Sequence, residues 1–202
     1  MLDRIADLPG LELDLASYSD AYDQAYEQIT FRKLERRQTF REPGVPSWEA
    51  FVAGDWDSAL ELNERERDTV RAKVADDSRL GVESRRLRVV EHPVTPYLQW
   101  EMQYFQLLAE AGEDIRVLDA HKVRHLEADH LLPEIVILGD RVLFEVLYDP
   151  HGTAYGARRI DDSDVIRAAA SEVADLYAAA EPLLDYFARE IATLPPPTPD
   201  EG

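Results

Sequence analysis

The sequence predicts an α/β (α+β) protein: a mixed sheet with flanking helices, plus an amino-terminal helical extension. Three observations lead there. Residues 86–162 read strand, helix, strand, hairpin and strand without a gap. The helix in that block is apolar over two adjoining faces, so the sheet covers one side and another element covers the other. No stretch approaches the roughly 18 consecutive apolar residues of a membrane span, while the 45% hydrophobic content is enough for a sizeable core.

The elements follow in order. Residues 1–16 are acidic and weakly patterned, an amino-terminal arm. A helix follows in which Tyr18, Ala21, Tyr22, Ala25 and Ile29 recur at helical spacing, with Ser17 or Ser19 as N-cap. TFRKLERRQTF is a strand running into a loop that Pro43, Gly44 and Pro46 break. Ser47 caps a short helix carrying Trp48, Phe51 and Val52, and residues 58–79 form one charged helix anchored by Leu60, Leu62, Val70 and Val74. Leu87, Val89 and Val90 make the next strand.

Thr95 then caps a helix that starts at Pro96, because proline at the first helical position loses no hydrogen bond, and Gly112 suits its end. Ile115–Leu118 is a strand, and His121–His130 an irregular or helical connection. Ile135–Leu138 and Val142–Tyr148 are joined by the turn Gly139-Asp140-Arg141, and Ala154–Ile160 returns as an edge strand. Asp161, Asp162 and Ser163 supply caps for a last long helix, which Pro182 kinks or restarts. The expected organisation is a single domain over 17–194, mostly helical in 17–84 and sheet-containing in 85–194, with a disordered proline-rich tail over 195–202.

Charge is the strongest bulk signal. Against 22 Lys and Arg stand 41 Asp and Glu, a formal net of −19. Direct binding to nucleic acid is not expected, because phosphate contact needs local positive potential. Acidity of this kind serves solubility, or it forms a surface that docks on a basic partner. There are no cysteines, which excludes disulfides and thiolate metal sites. The first residues lack a basic region followed by an apolar run, so no secretory signal is read and a cytoplasmic location is expected.

Residues that carry chemistry are sparse. No GxSxG elbow, GxGxxG or GxxxxGK[ST] loop occurs. His121, His125 and His130 lie within ten residues beside Asp119, Glu127 and Asp129, and His121 and His125 would share a helix face able to hold a divalent metal. There is no HExxH, and acidic residues abound everywhere, so no metal and no cofactor is expected. A basic island, Arg32, Lys33, Arg36, Arg37 and Arg41, stands out in so acidic a chain. It marks an anion site, to which Arg88 contributes, or a set of surface salt bridges with the surrounding carboxylates. Tyr97, Trp100 and Tyr104 are expected in the core.

Several stretches taken together resemble DUF6879, a family of actinobacterial proteins. They are ITFRKLERRQTF (29–40), PSWEAFVAGD (46–55), RRLRVVEHPVTPYLQWEMQ (85–103), AGEDIRVL (111–118), LPEIVILGDRVLFEVLYDPHG (132–152) and ARRIDD (157–162). The resemblance runs from about residue 17 to about residue 186 and implies neighbourhood with XRE-type helix-turn-helix regulators, hence a regulatory or toxin–antitoxin-like context. The block also looks like half of a phospholipase D-type fold. Active members of that superfamily carry HxKxxxxD, with the histidine as nucleophile and the lysine holding phosphate. Residues 130–140 have no histidine and lysine at that spacing, and His121 and Lys122 are adjacent.

The expected function is therefore a non-enzymatic regulatory protein with no catalytic residues. It would bind a helix-turn-helix regulator through acidic positions such as Glu64, Glu66 and Asp68, without membrane association and with room for a homodimer. The competing expectation is an enzyme or small-ligand sensor that holds a phosphate or carboxylate with Arg32, Lys33, Arg36, Arg37 and Arg88.

Overall fold

A computed structural model describes residues 1–198. Eight strands form one mixed sheet: β1 (Leu11–Asp14), β2 (Thr30–Glu35), β3 (Glu83–Val90), β4 (Asp114–Asp119), β5 (Ile135–Leu138), β6 (Val142–Tyr148), β7 (Ala154–Ile160) and β8 (Glu181–Pro182). Their order across the sheet is β1-β7-β6-β5-β2-β3-β4-β8. Strands β2, β3 and β4 are parallel, and the β5-β6-β7-β1 half is antiparallel throughout. The helices are α1 (Leu15–Ala25), α2 (Pro46–Val52), α3 (Trp56–Arg65), α4 (Arg67–Arg79), α5 (Pro96–Ala111), α6 (Ser163–Ala178) and α7 (Leu183–Tyr186), the last continued by a π-turn over Phe187–Ile191.

Alternation along the strands sends two different sets of side chains to the two faces. Leu34, Leu87, Val89, Leu118, Ile135, Ile137, Leu143 and Ile160 form one face, buried under Ile166, Ala169 and Val173 of α6. Leu2 and Ile5, on a 3₁₀ turn at the amino terminus, complete that core with no exposed surface. The opposite face is covered in two pieces. Met102, Phe105 and Leu98 of α5 lie with Phe187 over Ile115, Val117 and Val90. Tyr18 and Tyr22 of α1, with Tyr26 just past its end, lie over Phe31, Val136 and Phe144. Full burial of one such large apolar side chain is worth about 2 to 3 kcal/mol, so both covers hold firmly. The seam between them runs over β2 and β3.

Local features differ from the sequence reading where side chains compete. Asp14, not Ser17 or Ser19, caps α1: its carboxylate accepts the Ser17 N–H at 2.8 Å. Val45 precedes Pro46 at the start of α2, and Ser47 lies buried inside that helix instead of capping it. The single charged helix of 58–79 is two helices, separated at Glu66. Between Asn63 and Val70 no side chain is buried, and the run is tied to α5 there by the Arg67–Glu110 ion pair at 2.5 Å. Strand β7 is not an edge, because β1 pairs with it antiparallel. Gly156 permits that pairing, since a Cβ there would stand 2.1 Å from the Leu13 carbonyl oxygen.

Elsewhere the local chemistry is as read. The Thr95 hydroxyl oxygen accepts the Leu98 N–H at 3.1 Å, and Gly112 ends α5 with φ +110°. At the carboxyl end the Pro195 carbonyl accepts from Gln99 Nε2 at 2.7 Å. Residues 199–202 of the expected disordered tail lie outside the described residues. Among the described residues, no helix is long and apolar enough to cross a membrane.

Candidate functional site

The seam over β2 and β3 is filled by charge. Lys33 and Glu35 alternate with Leu34, and Arg86 and Arg88 alternate with Leu87, so all four charged side chains point to the face opposite the leucines. The parallel register sets Lys33 against Arg86 and Glu35 against Arg88. Carboxylates interleave them. Glu35 accepts from Lys33 Nζ at 2.6 Å and from Arg86 Nη1 at 3.1 Å. Glu113 accepts from Arg86 Nε at 3.0 Å and from the Ser84 hydroxyl at 3.1 Å. Glu101, on α5, accepts from Arg88 Nε at 2.7 Å. Arg88 has no exposed surface, and its guanidinium stands 5.6 Å from the Phe40 ring centroid.

Burial by itself raises the pKa of Glu35, but Lys33, Arg86 and Arg88 outweigh it and hold the carboxyl down at about 2. Glu101 goes the other way: burial pushes it up despite Arg88. Its neighbours explain why. The Tyr97 hydroxyl lies 3.2 Å from Glu101 Oε1 and 3.1 Å from Glu42 Oε1, yet carries one proton. Both contacts are hydrogen bonds only if one of the two carboxyls keeps a proton of its own. Burial also raises Glu42, so the Glu42–Tyr97–Glu101 group is a place where a proton is retained.

This lattice forms the floor of a cavity of about 550 Å³. Lys33, Glu35, Arg86 and Glu101 line one side, and Tyr97, Trp100, Tyr104 and Phe105 of α5 stand beside them. Helices α2 and α3 close the far side with Ser47 and Asn63. Two donors in its wall, Asn63 Nδ2 and Trp100 Nε1, are buried without a hydrogen-bond partner. A second groove of about 280 Å³ lies under Tyr18, Tyr22 and Tyr26 and shares Lys33 and Arg86 with the first. The two grooves thus flank one pair of cations.

The basic island does not converge. Lys33 joins the lattice. Arg36 is buried, forking onto Glu127 at 2.5 and 2.9 Å with a further contact to Glu91 at 2.7 Å. Arg37 leans over the Tyr148 ring at 5.4 Å. The backbone N–H groups of Arg36 and Arg37 donate to Glu134, whose carboxyl burial pushes up to about 7. Arg41 is exposed, and Arg32 points to the other face of the sheet, towards α6. Of the anion-site residues read from the sequence, the structure brings Lys33 and Arg88 into one lattice and separates Arg32, Arg36 and Arg37 from it.

Two of the three acidic positions on the helices form surface ion pairs. Glu64 pairs with Arg67 at 2.5 Å and Asp68 with Arg71 at 3.3 Å, while Glu66 is exposed at the rim of the larger cavity. His121 and His125 sit on two successive 3₁₀ turns and not on one α-helix face. His121 pairs with Asp119 at 2.5 Å, and His130 Nδ1 lies 3.0 Å from the Leu131 carbonyl. Among the described residues, no three His, Asp or Glu side chains are grouped to hold a metal ion.

Sequence reading missed Glu35, Arg86, Glu101, Glu113 and Glu134. A signal for the first two existed: Lys33-Leu34-Glu35 and Arg86-Leu87-Arg88 repeat one charge–leucine–charge pattern in strands that are interior to the sheet. Interior strands bury both faces, so charge at those positions has to be matched or used.

No curated protein matches the sequence. Among solved structures, the chain is similar to a phospholipase D family member, Nuc from Salmonella typhimurium, with 10% identity and a TM-score of 0.43 over 82% of this chain and 90% of that one. The sequence profile described as a domain of unknown function (DUF6879) matches residues 19–188. That match spans most of the 202 residues, and the chain belongs to the DUF6879 family.

Proposed function

We propose that the protein is a regulatory binding protein whose central cavity takes a small, planar, hydrogen-bonding metabolite. The observation that carries this reading is the charged lattice of Lys33, Glu35, Arg86 and Glu101, set as the floor of a 550 Å³ cavity beside four aromatic side chains. Pairing charges inside a protein contributes little net stability compared with apolar packing of the same volume. Apolar walls with a few fixed polar groups are what small-molecule sites present. Among the lining side chains Lys33, Arg65 and Arg86 face Glu35, Glu42, Glu66 and Glu101, so the cavity does not select for net negative charge. The aromatic walls favour a flat body, and Asn63 and Trp100 offer donors to acceptor atoms on it. No group here is placed as an activated nucleophile, and the role is binding.

Native mass spectrometry of the protein purified from its own cells tests this reading. A stoichiometric small-molecule adduct that disappears in Trp100→Ala supports it. A bare protein, with no adduct regained after incubation in the low-molecular-weight extract of those cells, counts against it.

A second reading rests on the net charge of −19. An acidic surface speeds and selects association with a basic protein, and a helix-turn-helix regulator of the XRE type is a partner of that chemistry, in transcriptional control or a toxin–antitoxin-like pair. Binding to such a regulator that weakens steeply between about 50 and 300 mM salt, as screened charge pairs do, supports it; salt-independent binding removes its electrostatic basis.

A further inference from the structure

The face of the sheet opposite the charged lattice carries a cleft of about 600 Å³ between α6 and the ends of β2 and β5. Its charge runs against that of the whole molecule. Three guanidiniums, Arg32, Arg141 and Arg167, line it against a single carboxylate, Asp140, in a chain with 41 acidic and 22 basic residues. We propose that this cleft is a second binding site, for the phosphate group of a small phosphorylated molecule, with Arg32 as its principal cation.

Arg32 is the group that lacks a partner. Its one hydrogen bond is a long contact of 3.5 Å from Nη1 to the Thr30 carbonyl, and its Nε is buried with none. The adjacent carboxylate, Glu83, is committed to Arg85 at 3.7 Å. Burial and the neighbouring Arg85 lower its pKa and Glu83 offsets them only in part, a condition that a bound anion would relieve.

Arg141 is positioned differently. Its Nη1 donates to the Ala25 and Glu27 carbonyls at 3.1 and 2.9 Å, which anchors the side chain at the cleft without neutralising it. Arg167 comes from α6, one turn from Ser171, and its exposed guanidinium pairs with Asp164. Guanidinium forks suit the oxygens of a phosphate group. Ile29, Ile166, Ala170 and Ala174 give the same cleft an apolar wall for the body of the ligand. A small molecule fits better than a polyanion, because an extended phosphate backbone would have to cross the acidic surface beyond the cleft.

Titration with inorganic phosphate and with ribose 5-phosphate, following the Nε–H resonance of Arg32 by NMR, tests the site. Sodium chloride at matched ionic strength is the control. The expected result is a saturable shift of that resonance with both phosphates and none with chloride, tighter for the ester. R32Q should weaken binding about tenfold or more, the loss of one charge-assisted contact, and R167Q severalfold. If R32Q does not fold, R167Q decides on the same titration, since Arg167 is exposed. Equal responses to phosphate and chloride, or unchanged affinity in the variant that folds, overturn the proposal. The site is independent of the central cavity, so Lys33→Met should leave phosphate binding unaltered.

Discussion

Lys33 and Arg86 stand directly opposite each other on parallel strands, two cations in register at the middle of the sheet, and Glu35 accepts hydrogen bonds from both. Like charges across a strand pair are unfavourable, so the arrangement depends on the carboxylate between them. The floor of the central cavity follows from that dependence, because Glu35 fixes the two side chains that it presents.

Glu35→Gln removes the counter-charge and leaves two half-buried cations under-compensated, with only Glu113 remaining on Arg86. A loss of about 3 to 5 kcal/mol is expected, the range for breaking a buried ion pair, read by urea denaturation at pH 7. The effect has a pH signature. Because the folded-state pKa lies at about 2, below the ordinary value of 4.5, the stabilisation is present above pH 4.5 and lost as pH falls towards 2. Wild type and variant should therefore converge at low pH, by up to roughly 3 kcal/mol.

Glu134 has the opposite sign. Burial raises its folded-state pKa to about 7 from an ordinary 4.5, so the folded protein binds more protons than the unfolded chain between those values. Stability from this group is fully present below pH 4.5 and declines as pH rises through 7, again by up to roughly 3 kcal/mol. The wild-type minus Glu134→Gln difference in unfolding free energy should fall over pH 5 to 8. A flat difference would show that the Arg36 and Arg37 amides hold the carboxylate charged throughout.

Arg88 and Glu101 form the most deeply buried pair. Arg88→Met or Glu101→Leu alone should cost about 3 to 5 kcal/mol, and the double variant much less than the sum. A double-mutant cycle by chemical denaturation measures the coupling. Additive losses would mean that the 2.7 Å contact carries no energy of its own.

Gly156→Ala should detach β1. The added Cβ meets a backbone carbonyl that cannot yield without moving the strand, and a loss of about 2 kcal/mol or more is expected. Hydrogen exchange should show the amides of residues 11–14 losing protection while those of β2 and β3 keep theirs.

The helix α5 was legible because its cap, its proline and its terminal glycine agree with its periodicity: Thr95, Pro96 and Gly112 act as local chemistry says they should. The hairpin of β5 and β6 was legible for the same reason. What was hidden is non-local. Nothing near residues 11–14 announces that they pair with β7, and the break at Glu66 falls where no side chain between Asn63 and Val70 is buried. The site was half visible. The basic island was seen as a cluster along the chain, but a strand sends neighbours to opposite faces, so Arg32 and Lys33 serve different cavities. The other members of the lattice around Lys33, namely Arg86, Glu101 and Glu113, lie more than 50 residues beyond it in sequence and join it only through the parallel strands.

The most direct test of the central cavity is the thermal midpoint of the wild type and Lys33→Met, each measured in buffer and in the filtered low-molecular-weight extract of the protein's own cells. A ligand present at about 100 times its dissociation constant adds about 2.7 kcal/mol, a rise of several degrees for a chain of this size. The account predicts that rise for the wild type and little or none for Lys33→Met. Equal shifts in the two proteins, or no shift in either, would contradict it.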